Sequence, residues 1–343
     1  MLNTKSKLVA ALFVVVSQAA MGFEALPDKP PVPADNSMSA AKVKLGQQLF
    51  LDPRLSVDGT VSCNSCHNVM GSGTDNRPVS VGVGGQKGGR SAPTVWNSAF
   101  LSVQFWDGRA ASLEDQAKGP ILNPVEMGMP SSDEAVQRIR SIAGYADEFK
   151  AVFGGKEPVT YDNIAKAIAA YERTLLTPNS PFDRYMKGDK NALPEQAKRG
   201  MKLVEKVGCT GCHMGPDFAG PALPVGTGFY QKFPTYENND YVKKYNLMAD
   251  TGRYAATKNE DDKHMWRVPT WRNVALTAPY FHNGSVATLD EAVRVMAKTQ
   301  LDKTLTDKEV EDIVAFLNSL TGVFPKQEMP NLPLTPNRSL TDK

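Results

Sequence analysis

A chain of 343 residues is long enough for about two domains, and 41% apolar residues is ordinary for a globular protein. The formal charge of +2, from 39 basic and 37 acidic residues, gives no sign of a nucleic-acid partner. All four cysteines fall in two C-x-x-C patterns, which argues against a framework of long-range disulfides.

Residues 1–22 read as a signal peptide. Lys5 and Lys7 are the charged start, Leu8 to Val16 the apolar centre, and Ser17, Ala19, Ala20 and Gly22 the small residues around a cleavage point near 19–22. The apolar run is too short to span a bilayer comfortably, and no other stretch is long enough, so the mature form is expected to have no membrane span. Removing the segment takes two lysines and no acid, so 39 − 2 = 37 basic groups balance 37 acidic ones. Residues 23–37 are proline-rich and expected to be extended.

From Ser39 a helix is predicted, with Val43, Leu45, Leu49 and Phe50 apolar. Next comes Cys63-Asn64-Ser65-Cys66-His67, and far downstream Cys209-Thr210-Gly211-Cys212-His213. In a C-x-x-C-H the two thiols add to the vinyl groups of a haem and the histidine becomes an axial iron ligand. A single copy could be a redox dithiol or half a zinc site. Two copies that use every cysteine point to two covalently bound haems c. Such haem is attached outside the cytoplasm, in agreement with export, and the expected address is the bacterial periplasm.

Two landmarks repeat. Ile168-Ala169-Ala170-Tyr171 returns as Ile313-Val314-Ala315-Phe316 (313 − 168 = 145), and the cysteines return at nearly the same period (209 − 63 = 146). Tandem copies of one fold explain both. The expected architecture is mainly α, with two cytochrome c-like domains, a haem in each, and a long irregular middle section. The expected boundaries are 23–179 and 180–324, with a loose or surface-draped tail at 325–343. Thr177-Pro178-Asn179-Ser180-Pro181 reads as the linker. Thr288-x-x-Glu291 and Thr306-x-x-Glu309 are capping boxes that open two helices, and Gly322 is a stop. No run of alternating strands is evident.

An electron-shuttling haem needs a sixth ligand, and methionine raises the potential relative to histidine. Met296 is the favoured residue, on the apolar face of the helix begun at Thr288, with Met201, Met214, Met248 and Met265 competing.

The string Ala278-Pro279-Tyr280-Phe281-His282-Asn283-Gly284 resembles bacterial dihaem cytochrome c peroxidases. So do Ala92-Pro93-Thr94-Val95, Gln104-Phe105-Trp106-Asp107-Gly108-Arg109 and Pro178-Asn179-Ser180-Pro181-Phe182-Asp183-Arg184-Tyr185. The resemblance spans roughly residues 40–322. It implies a high-potential C-terminal haem held by His213 and Met296, where electrons enter, and a peroxide-reacting N-terminal haem held by His67. It implies Glu126 as the proton carrier, Gln116 beside it, and Trp106 between the haems. A calcium ion is implied at the carbonyls of Thr277 and Pro279. There the family's usual asparagine is replaced by Ser91, a weaker oxygen donor. The implied substrate is hydrogen peroxide, the donor a small periplasmic cytochrome c or cupredoxin, and the assembly a homodimer.

The sequence departs from the family at Val83, where many members carry a histidine that caps the resting peroxidatic iron. Valine cannot ligate iron. Either that iron is open, which is favoured, or Met127, Met129 or Met70 substitutes. The glycines around Val83 are expected to let its loop move. His282 is expected to hydrogen-bond near the second haem, and His264 to lie on the surface. Two other functions compete: a dihaem electron carrier without catalysis, and a relative that oxidises protein side chains, in which a tyrosine replaces the distal methionine.

Overall fold

A computed structural model describes residues 23–335, so residues 1–22 and 336–343, including the signal segment, lie outside it. The described chain is mainly helical. In order come α1 (Ala40–Leu51), α2 (Cys63–Cys66), α3 (Leu113–Leu122), α4 (Ser132–Arg140), α5 (Ala143–Phe153) and α6 (Tyr161–Glu172). Then follow α7 (Pro181–Met186), α8 (Glu195–Val207), α9 (Asp240–Lys244), α10 (Tyr254–Thr257), α11 (Leu289–Leu301) and α12 (Asp307–Asn318). The only strands among the described residues are β1 (Tyr230–Lys232) and β2 (Met265–Arg267), paired antiparallel.

Hydroxyl caps set the helix starts. Ser39, Ser112, Thr160, Thr288 and Thr306 each accept a backbone N–H from the first turn of their helix. The capping box is complete at Thr306. At Thr288 only half of it forms, because the Glu291 carboxylate turns instead to Lys244 and Tyr245. Gly208, at φ 104°, ends α8 one residue before the second C-x-x-C-H.

Each half is built on one helix crossing. α1 crosses α6 with Gly46 set against the Ala167 carbonyl and the Tyr171 Cβ. α8 crosses α12 with Gly200 against the Asp312 carbonyl and the Phe316 Cβ. A side chain at either glycine would overlap backbone of the opposing helix, so only glycine permits this approach.

The repeat has a second register that the offset of 145 conceals. Pro93-Thr94-Val95-Trp96-Asn97 is matched by Pro269-Thr270-Trp271-Arg272-Asn273, and Gln104 to Ala110 by Tyr280 to Val286 (269 − 93 = 176). The structure repeats accordingly. Gln104 bridges Ala110 as Tyr280 bridges Val286, and Asn97 and Asn273 both adopt left-handed backbone, at φ 63° and 60°. An insertion carrying β1, α9, α10 and β2 moves the second half to the larger offset. A compensating insertion in the first half, with α4 and α5, returns it to 145 before α6 and α12.

Two hydrophobic cores result, one drawing residues from Leu45 to Leu175 and the other from Phe182 to Leu320. A third cluster, around Phe233, Trp266 and Val295, lies on the second-half insertion, and Trp106 packs against it. The chain ends cross over. Phe23 packs among Phe182, Phe218 and Phe316, and the Leu26 N–H donates to Asp183. Phe324 stands edge-on to Trp96, Gln48 donates to the Asn331 carbonyl, and Arg54 donates to the Pro333 carbonyl. The tail to residue 335 is therefore draped over the first half.

Thr177 and Ser180, both at most 1% exposed, anchor the junction, while Asn179 between them is exposed. Propensity suggests a turn here, but Thr177 is held by Asn97 and Asn273, far away in sequence, and Ser180 by its local partner Asp183 and by Arg272.

Candidate active site

In the second half, α8 delivers Cys209 to the rim of a cavity of about 240 Å³. The walls are overwhelmingly apolar and include Val204, Trp271, Phe281 and Val293. Cys209, Cys212 and His213 occupy one side, and Met296 projects from α11 into the same space. Of the five competing methionines, Met296 alone lines this cavity. The His213 Nδ1 faces the Phe218 carbonyl at 3.0 Å, which orients the ring and leaves Nε2 available to a metal. Trp271 stacks on the ring, with centroids 4.3 Å apart. Burial pushes His213 down to about 4, so the imidazole is neutral, as a ligand must be. The cysteines are free, and burial pushes the Cys209 thiol up to about 11. Two unpaired thiols, an oriented imidazole and a thioether around one apolar space fit a covalently attached haem.

In the first half, the His67 Nδ1 faces the Pro93 carbonyl at 3.0 Å. Burial lowers the affinity of His67 for protons, while the Pro93 carbonyl and the Glu126 charge oppose that shift. Burial also raises the Cys63 and Cys66 thiols, and nearby carboxylates add to this, Glu172 and Asp75 ahead of Glu126. Glu126 sits on a turn that follows α3 and folds back onto it: the Met127 N–H donates to Pro120 and the Met129 N–H to Ile121. The Asn123 amide holds one Glu126 carboxylate oxygen at 2.6 Å.

The Val83 loop is fastened to this turn. The Val83 N–H donates to the Glu126 carbonyl at 2.9 Å, and Gln86 Nε2 donates to the Pro124 carbonyl at 3.0 Å. Gly82 lies too close to Val125 and Glu126 to carry a Cβ, and the Val83 side chain is buried. The freedom expected from the surrounding glycines is confined to Gly84 and Gly85, beside which a Cβ would meet open space. Met127 and Met129 are core residues packed in the same cluster as Val83, whereas Met70 is 48% exposed.

Gln116 is half-buried on α3, and its side chain makes no hydrogen bond among the described residues. Trp106 lies at the junction of the halves. It lines the second-half cavity, and its indole N–H donates to the Ser91 carbonyl at 2.8 Å. The Ser91 N–H in turn donates to the His282 carbonyl at 2.8 Å. Thr277 and Pro279 line this cavity, as does Ser91. Asn76 takes the carbonyls of Leu276 and Ala278, while those of Thr277 and Pro279 accept no hydrogen bond among the described residues. These neutral oxygens suit a hard cation such as calcium, with water needed to reach six to eight ligands.

The family model for di-haem cytochrome c peroxidases matches residues 40–191. The cytochrome c551 peroxidase of Pseudomonas aeruginosa is 47% identical over 324 residues, covering 92% of this chain and 89% of that one. The chain belongs to the di-haem cytochrome c peroxidase family. It is an oxidoreductase acting on hydrogen peroxide, and haem c is its cofactor. The cytochrome c551 peroxidase of Nitrosomonas europaea is 45% identical over 90% of this chain and 88% of its own. The methylamine utilization protein MauG of Methylorubrum extorquens is 33% identical over 90% and 86%. A crystal structure of a MauG-like protein associated with microbial copper homeostasis superposes with a TM-score of 0.75 at 33% identity, covering 87% of this chain and 95% of that one.

Of the two remaining histidines of this peroxidase, His264 differs from expectation and His282 lies at the second site. His264 is buried, with Nδ1 facing the Asp250 carbonyl at 3.0 Å. The β2 pairing draws it inward, and local sequence does not reveal this. His282 lines the cavity, stacks on Trp266 at 4.1 Å, and leaves its Nε2 buried without a partner among the described residues. Sequence reasoning also missed Pro120. In the 176 register it stands where Met296 stands in the second half (296 − 120 = 176), and α3 ends two residues later. Aligning the two Phe-x-Asp/Asn-Gly strings would have found it.

Proposed function

We propose that the two halves divide the reaction, with peroxide reduced at the His67 site and electrons admitted at the His213 site. The observation that carries this reading is the pairing of Pro120 with Met296. With haem bound, Met296 and His213 would hold the iron from the one cavity they both line. Proline has no donor atom, and the Pro120 helix stops to make room for the turn bearing Glu126. The first site thus exchanges a ligand for a carboxylate. Bound haem would supply iron for O–O cleavage at one site and one-electron transfer at the other.

The chain supplies the rest. His67 and His213 are oriented by backbone carbonyls. Glu126, held by Asn123, takes a proton from one peroxide oxygen and returns it to the other. Hydrogen peroxide, two electrons and two protons give two waters. Gln116 lies in the same pocket, and Trp106 lies between the sites. The donor is a small cytochrome c or cupredoxin, the address is the periplasm, and a calcium ion binds at Thr277, Pro279 and Ser91. The segment at 1–22 supports export, and no described helix is long and apolar enough to cross a membrane.

The test is rapid mixing of fully oxidised protein with peroxide, with and without prior half-reduction. Immediate reaction in both cases is expected, since Val83 is locked away from any ligand role and Met127 and Met129 are committed to the core. A lag that half-reduction removes would overturn the open first site.

A further inference from the structure

We infer that Thr177 is a positioning residue that ties the supports of the two haem-binding histidines into one unit. Its hydroxyl oxygen accepts two amide hydrogen bonds, from Asn97 Nδ2 at 2.8 Å and from Asn273 Nδ2 at 2.8 Å. The two asparagines are counterparts in the 176 register, one from each half. All three residues are at most 1% exposed. Both asparagines hold left-handed backbone that few other residues adopt.

The other ends of the asparagines close the motif. Asn97 Oδ1 accepts the Thr177 N–H at 2.9 Å, and Asn273 Oδ1 accepts the Gly322 N–H at 3.1 Å. Gly322 is the counterpart of Thr177 and rests directly on its carbonyl. One oxygen atom is therefore the point where two quasi-equivalent structures meet.

What the asparagines carry makes this functional. Four residues before Asn97 is Pro93, whose carbonyl faces His67. Two residues before Asn273 is Trp271, whose ring stacks on that of His213 with centroids 4.3 Å apart, and Pro269 lines the same cavity. Both connecting segments are pinned: Thr94 donates to the Ser72 carbonyl and Thr270 to the Asp217 carbonyl. The path proposed between the two histidines therefore runs through Pro93, Asn97, Thr177, Asn273 and Trp271. Packed side chains and hydrogen-bond networks of this kind are a physical route by which distant sites couple. Trp106 is a separate contact between the halves and does not touch this path.

The inference rests on the proposed division of labour, and a spectroscopic readout separates the two. In the holoenzyme the absorption spectrum of the first haem is followed while the second is reduced. Wild type is expected to respond. Thr177→Ser keeps the oxygen and should keep the response. Thr177→Val removes the acceptor and should shrink the response by roughly fivefold or more, the lower end of couplings between distinct sites. If Thr177→Val does not fold, Asn273→Gly decides. It keeps the left-handed backbone while cutting one arm of the bridge, and the same loss is expected. An unchanged response in a folded, two-haem Thr177→Val or Asn273→Gly protein overturns the inference, as does a wild type without any response. Peroxide turnover by wild type is measured in parallel. Its absence counts against the division of labour alone.

Discussion

Replacing Glu126 by glutamine keeps size and hydrogen-bonding shape but removes the proton-carrying carboxylate. General acid–base catalysis is worth roughly 10² to 10⁴ in rate, or about 2.7 to 5.4 kcal/mol of barrier. Peroxide turnover is expected to fall by that factor while both haems remain attached. Asn123 refines the test, because its amide reaches the Glu126 carboxylate at 2.6 Å. A hydrogen bond to a charged group contributes about 1.5 to 3 kcal/mol, so Asn123→Ala should slow turnover by roughly ten- to 150-fold. Asn123 is taken to act only through Glu126. The double variant should therefore be no slower than Glu126→Gln alone. The assay is steady-state peroxide consumption with a reduced small cytochrome c, beside haem content and spectrum. Near-wild-type rates in Glu126→Gln would refute the proton-carrier role. Additive losses in the double variant would refute the claim that Asn123 works by holding Glu126.

Met296→His should retain the second haem at a lower midpoint potential and slow electron entry, because methionine favours the reduced iron. A redox titration with unchanged potential would exclude Met296 as ligand. Val83→His places a bulkier polar ring in a buried site beside Gly128. The loop should leave the Glu126 turn and the oxidised protein should acquire a lag, checked by stopped-flow with and without pre-reduction. Gly46→Ala and Gly200→Ala each force a methyl into an opposing helix. Each should destabilise by at least the roughly 1 to 3 kcal/mol of an overpacked core. Denaturant midpoints measure this, and equal stability to wild type would show that the crossings can relax.

Features that depend on neighbours in sequence were legible before the structure. The C-x-x-C-H segments, the capped helices at Ser39, Thr288 and Thr306, and the Leu289 to Met296 face all follow from local spacing. Features that depend on closure between distant residues were not. Thr177-Pro178-Asn179-Ser180-Pro181 has the composition of a turn, and the role of its Thr177 comes from Asn97 and Asn273, far away on either side. The loop at Val83 is glycine-rich, but its backbone is committed to Glu126 and Pro124. Pro120 was hidden by two inserted stretches that cancel each other. A single repeat period survives at both ends of the chain and fails in the middle, where the difference between the halves resides.

The crossed chain ends bear on how the molecule is made. The segment at Phe23 and Leu26 lodges among aromatics of the second half, of which Phe316 is synthesised late, and residues 324–335 close over helices that emerged first. A chain delivered amino-terminus first must keep that leading segment waiting until Phe316 arrives, and the half that appears first stays uncovered until residues 324–335 follow. Neither half is complete without a piece of the other. A cut near Asn179 would therefore yield two fragments that each lack part of their own packing, and mixing those fragments should restore more structure than either holds by itself.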